Sequence, residues 1–497
     1  MIRALSSARR FVEMFLFARS RRLPRRAATS VFFPRAHPSL PPSLSPNSSA
    51  ETESSAGAID VVALGNMCVD VLLSPAPIPS PDALKTDASL ASLDASAEAK
   101  DDARWEVGGN CNFLIAASRL GLRAECAGHV GDDAHGAFLV ETLAAEGVPF
   151  RDLCAIASED AQTETLKCFV LTDGAGGHAF CSRYDLGPWP LLSRVDVVDE
   201  GAASALARCS AVFVNGFVFD ELSPAAVRSA ISLAKLNAAG VFFDPGPRAF
   251  TFVSGDAGRK EALDTILAAT DVILATLEEA AALAGIEAVA GAGHGATETG
   301  TAVGASFAES DPTSGGGDDA LDPLSVARAL FSRPGCAADW VVIKCGPDGA
   351  AAFTRRGDAV YVGAPEIDVV DTVGCGDSAA AAVVLGYLKI QKKKKKLFEA
   401  SSGKIAYLPN AVLAGMMEET LTLATAVGSA TATRPGAGRN VADAETTRAL
   451  LTAAAAKIET MSEEERARSG ISAGGAKRAL DVLEESLRAK DRGQSAV

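Results

Sequence analysis

The octapeptide Asp371-Thr-Val-Gly-Cys-Gly-Asp-Ser378 sets two glycines, a small thiol and a carboxylate ahead of the small-residue run Ala379–Leu388. Two glycines around one small residue let the backbone turn sharply into a helix. The N–H groups of Gly374, Cys375 and Gly376 then have no intrahelical partner. They sit at the positive end of the helix dipole, where an anion is favoured. Asp377 stands beside that pocket. A base that takes a hydroxyl proton, next to N–H groups that stabilise charge on a phosphate, is what transfer of a phosphoryl group to an alcohol requires. An aspartate N-cap after a glycine turn accounts for Asp377 alone, not for the whole octapeptide.

Two further segments suit a polyol acceptor. Gly108 and Gly109 precede a helical pattern that contains Asn112, so the backbone can approach a ligand closely and the Asn112 amide can bind a diol. The segment Gly65-Asn66-Met-Cys-Val-Asp70 follows the apolar run Ile59–Leu64. A carboxylate at a strand's C-terminal end lies where open α/β sheets bind ligands.

The elements around these residues read as an α/β fold. From about residue 210, apolar strand patterns (Ala211–Phe217, Val241–Asp244, Val272–Ala275, Trp340–Cys345) alternate with helical ones (Pro224–Ala239, Arg259–Ala269, Glu278–Ala284, Leu324–Phe331). That order predicts a parallel sheet covered on both faces. Thr165–Thr172 and His178–Tyr184 flank a glycine-rich turn and read as a hairpin. Residues 75–104 are rich in Pro, Ala, Ser and Asp and are expected to form an exposed excursion. Disordered insertions are expected at 286–320 and 392–407, the second holding the run Lys392–Lys396 as a solvated loop. Helices are expected at Asp377–Leu388, Ala411–Thr433, Thr446–Ile458 and Glu463–Lys490, with residues 451–497 forming a helical tail.

Composition narrows the class. The chain of 497 residues carries a net charge of -15, yet residues 1–50 hold nine Arg and one acid, so they sum to +8 and the rest to -15 - 8 = -23. An acidic body disfavours nucleic-acid and anionic-membrane partners. Residues 1–56, Arg-rich and acid-poor with a Pro/Ser-rich end, have the composition of an organelle transit peptide, plastid or mitochondrial. Ten cysteines without a CxxC pair, beside five His, read as buried thiols and not as a disulfide framework or zinc site. No run of 18 apolar residues predicts a membrane span.

Asp371-Thr-Val-Gly-Cys-Gly-Asp377 resembles the D-T-x-G-A-G-D signature of the ribokinase-like (PfkB) carbohydrate and nucleoside kinases, with Cys375 in place of Ala. Gly108-Gly-Asn-Cys-Asn-Phe-Leu-Ile-Ala-Ala-Ser-Arg-Leu-Gly121 is similar to the family's second signature, with the spacing after the glycines one residue shorter and Leu114 where Ala is usual. The resemblance covers roughly residues 58–445. It implies an αβα sandwich with a mostly parallel central sheet and a small β-sheet lid built from parts of 68–107 and 165–190, within a kinase domain at 57–450.

It also implies roles. Asp377 would be the general base and the Gly374–Gly376 backbone the anion hole. Asp70, Asn66, Gly108, Gly109 and Asn112 would bind the sugar or nucleoside. Thr276, in place of Asn, and Glu279 would help order Mg²⁺ and the phosphates. Lys344, Gly346 and Gly349 would lie at the nucleotide; Lys344 meets a phosphate or snorkels to solvent. Asp371, Val373, Thr431, Arg434, Gly436 and Asn440 would surround a monovalent cation such as K⁺. The implied cosubstrate is MgATP, and the implied assembly a monomer or a lid-mediated homodimer. Arg183 and Arg248 are either contacts to an anionic substrate or surface ion pairs. No G-x-x-x-x-G-K-[ST] loop occurs, which disfavours a P-loop kinase. The alternative is a catalytically silent PfkB-fold scaffold resembling fructokinase-like organelle proteins. Retention of Asp377 and its glycines favours catalysis, since a scaffold has no physical need for that combination.

Overall fold

The structure, a computed structural model, describes residues 59–74, 78–98, 104–153, 164–172, 178–192, 198–286, 321–403, 407–462, 465–466 and 469–493. The transit-peptide reading, nearly all of the 286–320 insertion and the hairpin turn at 173–177 fall outside them.

Strands in chain order are β1 (Ile59–Leu64), β2 (Met67–Leu73), β3 (Arg104–Gly109), β4 (Ala124–Gly128), β5 (Phe150–Asp152), β6 (Lys167–Thr172) and β7 (His178–Ser182). They continue as β8 (Cys209–Asn215), β9 (Gly240–Asp244), β10 (Val272–Thr276), β11 (Trp340–Lys344), β12 (Ala350–Thr354) and β13 (Ala359–Val362). Nine form one sheet in the order β13-β12-β11-β10-β9-β8-β1-β4-β5, parallel from β5 to β11 with two antiparallel strands at one edge. The other four form a separate sheet in the order β3-β2-β6-β7.

The continuous apolar runs of the central strands follow from burial on both faces. Phe213, Phe242, Leu274 and Val342 face one core, and Val214, Phe243, Ile273 and Val341 face the other. The first core is closed by the helices Asn110–Arg119, Cys375–Ala400 and Asn410–Ala432. There Phe113 stacks on Phe213 with centroids 3.9 Å apart. The second is closed by Glu200–Arg208, Pro224–Lys235, Ala257–Leu267 and Pro323–Ser332.

Some expectations change. The 75–104 excursion contains the helices Pro81–Leu84 and Asp87–Glu98. Lys392–Lys396 lie not in a loop but in the Cys375–Ala400 helix. Lysine is a good helix former, so the run continues the helix with most of its side chains exposed. The last helix runs Ala473–Asp491, starting ten residues later than the expected Glu463 and ending one beyond Lys490. It is no loose tail, since Ala476, Ala479 and Leu483 are fully buried in the first core. Among the described residues, no helix is long and apolar enough to cross a membrane.

Candidate active site

Functional side chains gather at the C-terminal ends of the parallel strands. Gly65 follows β1, and Asn215, Asp244, Thr276 and Lys344 end β8, β9, β10 and β11. In register, Asn215 pairs with Asp244 and Thr276 with Lys344. Strand ends at this edge are where open α/β sheets place their ligands.

The Cys375–Ala400 helix starts here. Gly374, at φ 80°, turns the chain into it in the left-handed region that glycine enters without strain. The N–H groups of Gly374, Gly376 and Asp377 have no hydrogen-bond acceptor among the described residues, and Ser378 N begins the ladder on Gly374 O. Cys375 differs from expectation, because its N–H points back to Thr372 O at 3.3 Å. The Cys375 thiol is pushed up to about 12 by burial and by the charges of Asp371 and Asp377, so it stays protonated and unreactive.

Asp377, in the first turn, accepts from Asn112 Nδ2 at 3.2 Å. Burial pushes its carboxyl up to about 6; Asp244 adds to the rise, while Lys344 and Asn112 oppose it. On one side of Asp377 lies a cationic group. Lys344 Nζ donates to Asp244 Oδ2 at 2.6 Å. Burial works against the Lys344 charge, but Asp244, Glu279 and Asp377 outweigh it and hold the amine at about 12. A Cβ on Gly376 would lie 3.4 Å from that Nζ, so the lysine reaches the helix start and does not snorkel away. Thr276 and Glu279 form a capping box on the Leu277–Ala284 helix: Thr276 N donates to Glu279 Oε2 at 2.8 Å and Glu279 N to Thr276 Oγ1 at 3.3 Å. Burial raises the Glu279 carboxyl against the pull of Lys344. Gly346 and Gly349 flank a short turn beyond β11, both at positive φ. A Cβ on Gly349 would lie 2.0 Å from Val362 O, so this glycine is required for packing β13.

On the other side of Asp377 lies the small sheet. Asp70 is directly opposite Glu106 across the β2–β3 pair. Its carboxylate sits over Gly108, where a Cβ would come within 2.2 Å of Oδ1. Burial pushes Asp70 up to about 7, Glu106 and Asp377 add to the rise, and a hydrogen bond from Cys68 opposes it. Gly109, at φ 59°, leaves room for Asn66 O, which a Cβ would meet at 2.3 Å. Asn66 itself has φ 52° and gives its N–H to Glu221 Oε2 at 2.6 Å. The sheet therefore joins the body through a backbone bend at Gly65–Asn66 that one carboxylate holds.

The residues proposed around a monovalent cation are brought near one another, but several side chains are engaged. Asp371 accepts from Val373 N at 2.9 Å and Gly436 N at 2.7 Å. The buried Thr431 hydroxyl donates to Ser378 Oγ and accepts from Ala442 N. Arg434 turns to Asp443 and Thr446. Asn440 ends the short turn Gly438–Asn440. A cation there would have to be held chiefly by backbone carbonyls.

Several site residues escaped the sequence reading. Asp244 follows Phe243 at a strand end, a placement that could have marked it. Glu221, pushed up to about 7 by burial, accepts from Tyr184 OH at 2.5 Å as well as from Asn66 N. Asn110 donates to Leu64 O and Gly65 O and accepts from Asn215. No sequence signal marks that network. Arg248 is not a surface pair but a buried one. It is 6% exposed, held by Asp220 at 2.7 Å and Asp185 at 2.8 Å, and lies over the Phe217 ring. Arg183 does form an exposed ion pair, with Asp87 at 2.9 Å.

Known proteins share both sequence and architecture with this chain. The pattern of the pfkB family carbohydrate kinases matches residues 78–305 and 321–444. A 5-dehydro-2-deoxygluconokinase of Bacillus velezensis is 27% identical over 341 residues, 66% of this chain and 82% of that protein. The Bacillus subtilis protein of the same name is 25% identical over 343 residues, covering 66% and 83%. A fructokinase from Xylella fastidiosa with bound ATP superposes with a TM-score of 0.52 at 17% identity, covering 79% of this chain and 98% of its own. Arabidopsis thaliana ribokinase complexed with ribose and ATP gives 0.50 at 17%, covering 79% and 98%. At such identities the structural likeness bears on the fold.

Proposed function

This chain belongs to the pfkB family of carbohydrate kinases and is a sugar kinase, and we propose that it uses Asp377 to activate one hydroxyl of the sugar toward the terminal phosphate of ATP. The carrying observation is the position of Asp377. It sits in the first turn of a helix whose leading N–H groups are unengaged, accepts from Asn112, and lies within electrostatic reach of the Lys344 amine and the Asp70 carboxylate.

Each group has a task that its surroundings suit. Asp377, with its carboxyl at about 6, is ionised at neutral pH yet basic enough to take the hydroxyl proton as the new bond forms. Asn112 orients that carboxylate. The Gly374, Gly376 and Asp377 N–H groups and Lys344 face the side where negative charge accumulates during transfer. Asp70, Asn66 and Asn112, with the space left by Gly108 and Gly109, bind the remaining sugar hydroxyls. Among the described residues no cluster of three or more His, Cys, Asp or Glu could hold a metal ion. Mg²⁺ would enter with the ATP phosphates, where Asp244 or Glu279 would help hold it and it would neutralise phosphate charge. Sugars are the favoured acceptors over nucleosides, and the relatives' name adds a deoxy keto sugar acid to the set worth testing.

The test is ADP release with MgATP against hexoses, pentoses, sugar acids and nucleosides, with Asp377→Asn as control. Acceptor-dependent turnover that falls at least a hundredfold in the control supports the assignment. Folded protein that turns over no acceptor favours the silent-scaffold alternative.

A further inference from the structure

One short loop bonds to the octapeptide, to the helix that carries Asn112 and to the small sheet. Gly436 N donates to Asp371 at the start of the octapeptide. Gly438 N donates to Asn112 Oδ1 at 2.7 Å, and the other end of that amide holds Asp377. The Arg439 carbonyl and that of Val441 accept from Arg119, on the helix that carries Asn112. The side chain of Arg439 crosses to the small sheet. Its Nη2 lies 2.8 Å and its Nε 3.1 Å from Glu106 Oε1, and the Arg439 N–H adds a third bond to Glu106 Oε2 at 3.2 Å.

Glu106 lies on β3, an edge of the small sheet, on the same face as Asp70 directly opposite. The approach is close. A Cβ on Gly438 would lie 2.5 Å from Glu106 Oε2 and 2.8 Å from Val107 O. Successive residues of one loop thus hold Asn112, which bonds Asp377, and β3, the strand paired with the one that carries Asp70. The pair is asymmetric in solvent. Arg439 is 52% exposed and Glu106 12%, so water can replace the guanidinium when the contact opens.

We propose that Arg439 and Glu106 are positioning residues whose ion pair clasps the small sheet to the 436–440 loop and thereby sets affinity for the sugar acceptor. This rests on the sugar-kinase assignment. Neither side chain has to touch the substrate. With the clasp closed, Asp70 and Asn112 stand on opposite walls of one cleft. With it open, the sheet can pivot at Gly65–Asn66 and the acceptor loses the Asp70 wall. A forked guanidinium–carboxylate contact gives this arrangement direction as well as energy.

The experiment uses the full chain with Arg439→Gln, Glu106→Gln and the exchanged pair Glu106→Arg/Arg439→Glu. Each single change is expected to raise the acceptor KM about twofold to fivefold, the upper range for a partly exposed charge pair, with kcat and the ATP KM unchanged. The exchanged pair recovers most of the acceptor KM. Added salt raises the wild-type KM and leaves that of Arg439→Gln nearly unchanged, since only the intact pair is screened. Singles that keep the wild-type KM overturn the proposal, and so does an exchanged pair no better than the worse single. Hydrogen exchange of residues 104–109 reads the clasp without turnover: faster in both singles, restored in the exchange. Altered exchange in a protein with no turnover would keep the clasp and remove the kinase assignment. Unaltered exchange and KM in an active enzyme would do the reverse.

Discussion

Replacing Asp377 by Asn should abolish turnover and stabilise the protein at the same time, with a gain that depends on pH. The carboxyl moves from 3.8 in the unfolded chain to about 6 in the fold, chiefly because burial disfavours its charge. A raised carboxylate pKa means that the folded state resists ionisation. The associated stability is complete below pH 3.8 and is lost as pH rises through about 6. At pH 8 the ionised group therefore costs at most about 3 kcal/mol, from roughly two pKa units at ~1.36 kcal/mol each. Asparagine has nearly the same shape, can still accept from Asn112, and carries no charge to bury. With an unfolding entropy of ~2.1 cal/mol/K per residue, a body of this size should gain roughly 3 °C in Tm at pH 8 and less than about 1 °C at pH 4. Thermal unfolding of both proteins across pH 4–8 measures this. In parallel, wild-type kcat/KM should fall about tenfold per unit below pH 6 as the base is protonated. A variant that melts at or below the wild-type temperature at pH 8 would refute the argument. So would a gain that stays constant across pH, because the carboxylate would then not be held at a cost.

Two more perturbations separate the halves of the site. Gly108→Ala forces a methyl onto the Asp70 carboxylate, since the Cβ would lie 2.2 Å from Oδ1; the acceptor KM should rise at least tenfold while the ATP KM stays within twofold, as initial-rate kinetics will show. Lys344→Met removes the cation that opposes the rise at Asp377, so the acid limb of the pH–rate profile should move to higher pH, with a higher ATP KM; an unmoved limb would show that Lys344 does not act on the base.

Local patterns made much of this legible. Apolar runs at β8, β9, β10 and β11, separated by amphipathic stretches, revealed the parallel sheet because strands covered on both faces need no polar positions. The octapeptide marked the candidate site because its glycine turn, its helix start and the Asp377 carboxylate are contiguous in the chain. What stayed hidden depends on distant pairs. Glu221 meets Asn66 from 155 residues away, and Arg439 meets Glu106 from 333. Nothing near Glu221, Glu106 or Arg439 in sequence sets it apart from a surface charge. Arg248 was ambiguous for the same reason, its two aspartates lying 28 and 63 positions away. Lys392–Lys396 are largely exposed, as their charge density suggests, but helix propensity makes them a continuation of the preceding buried helix and not a loop.

The place of β1 in the sheet has a consequence for how the protein is made. It is the first described strand to be synthesised, yet it lies inside the sheet, between β8 and β4. Its partner β4 follows within the next 64 residues, but β8 ends at residue 215, and 215 - 64 = 151 further residues must be added before the strand is enclosed. At ~5–20 residues per second this leaves one edge of Ile59–Leu64, six buried positions in a row, without its neighbour for roughly 8–30 s. An unpaired apolar edge of that kind is a template for pairing with other chains. The N-terminal part of the body thus depends, during translation, on whatever shields that edge until β8 arrives.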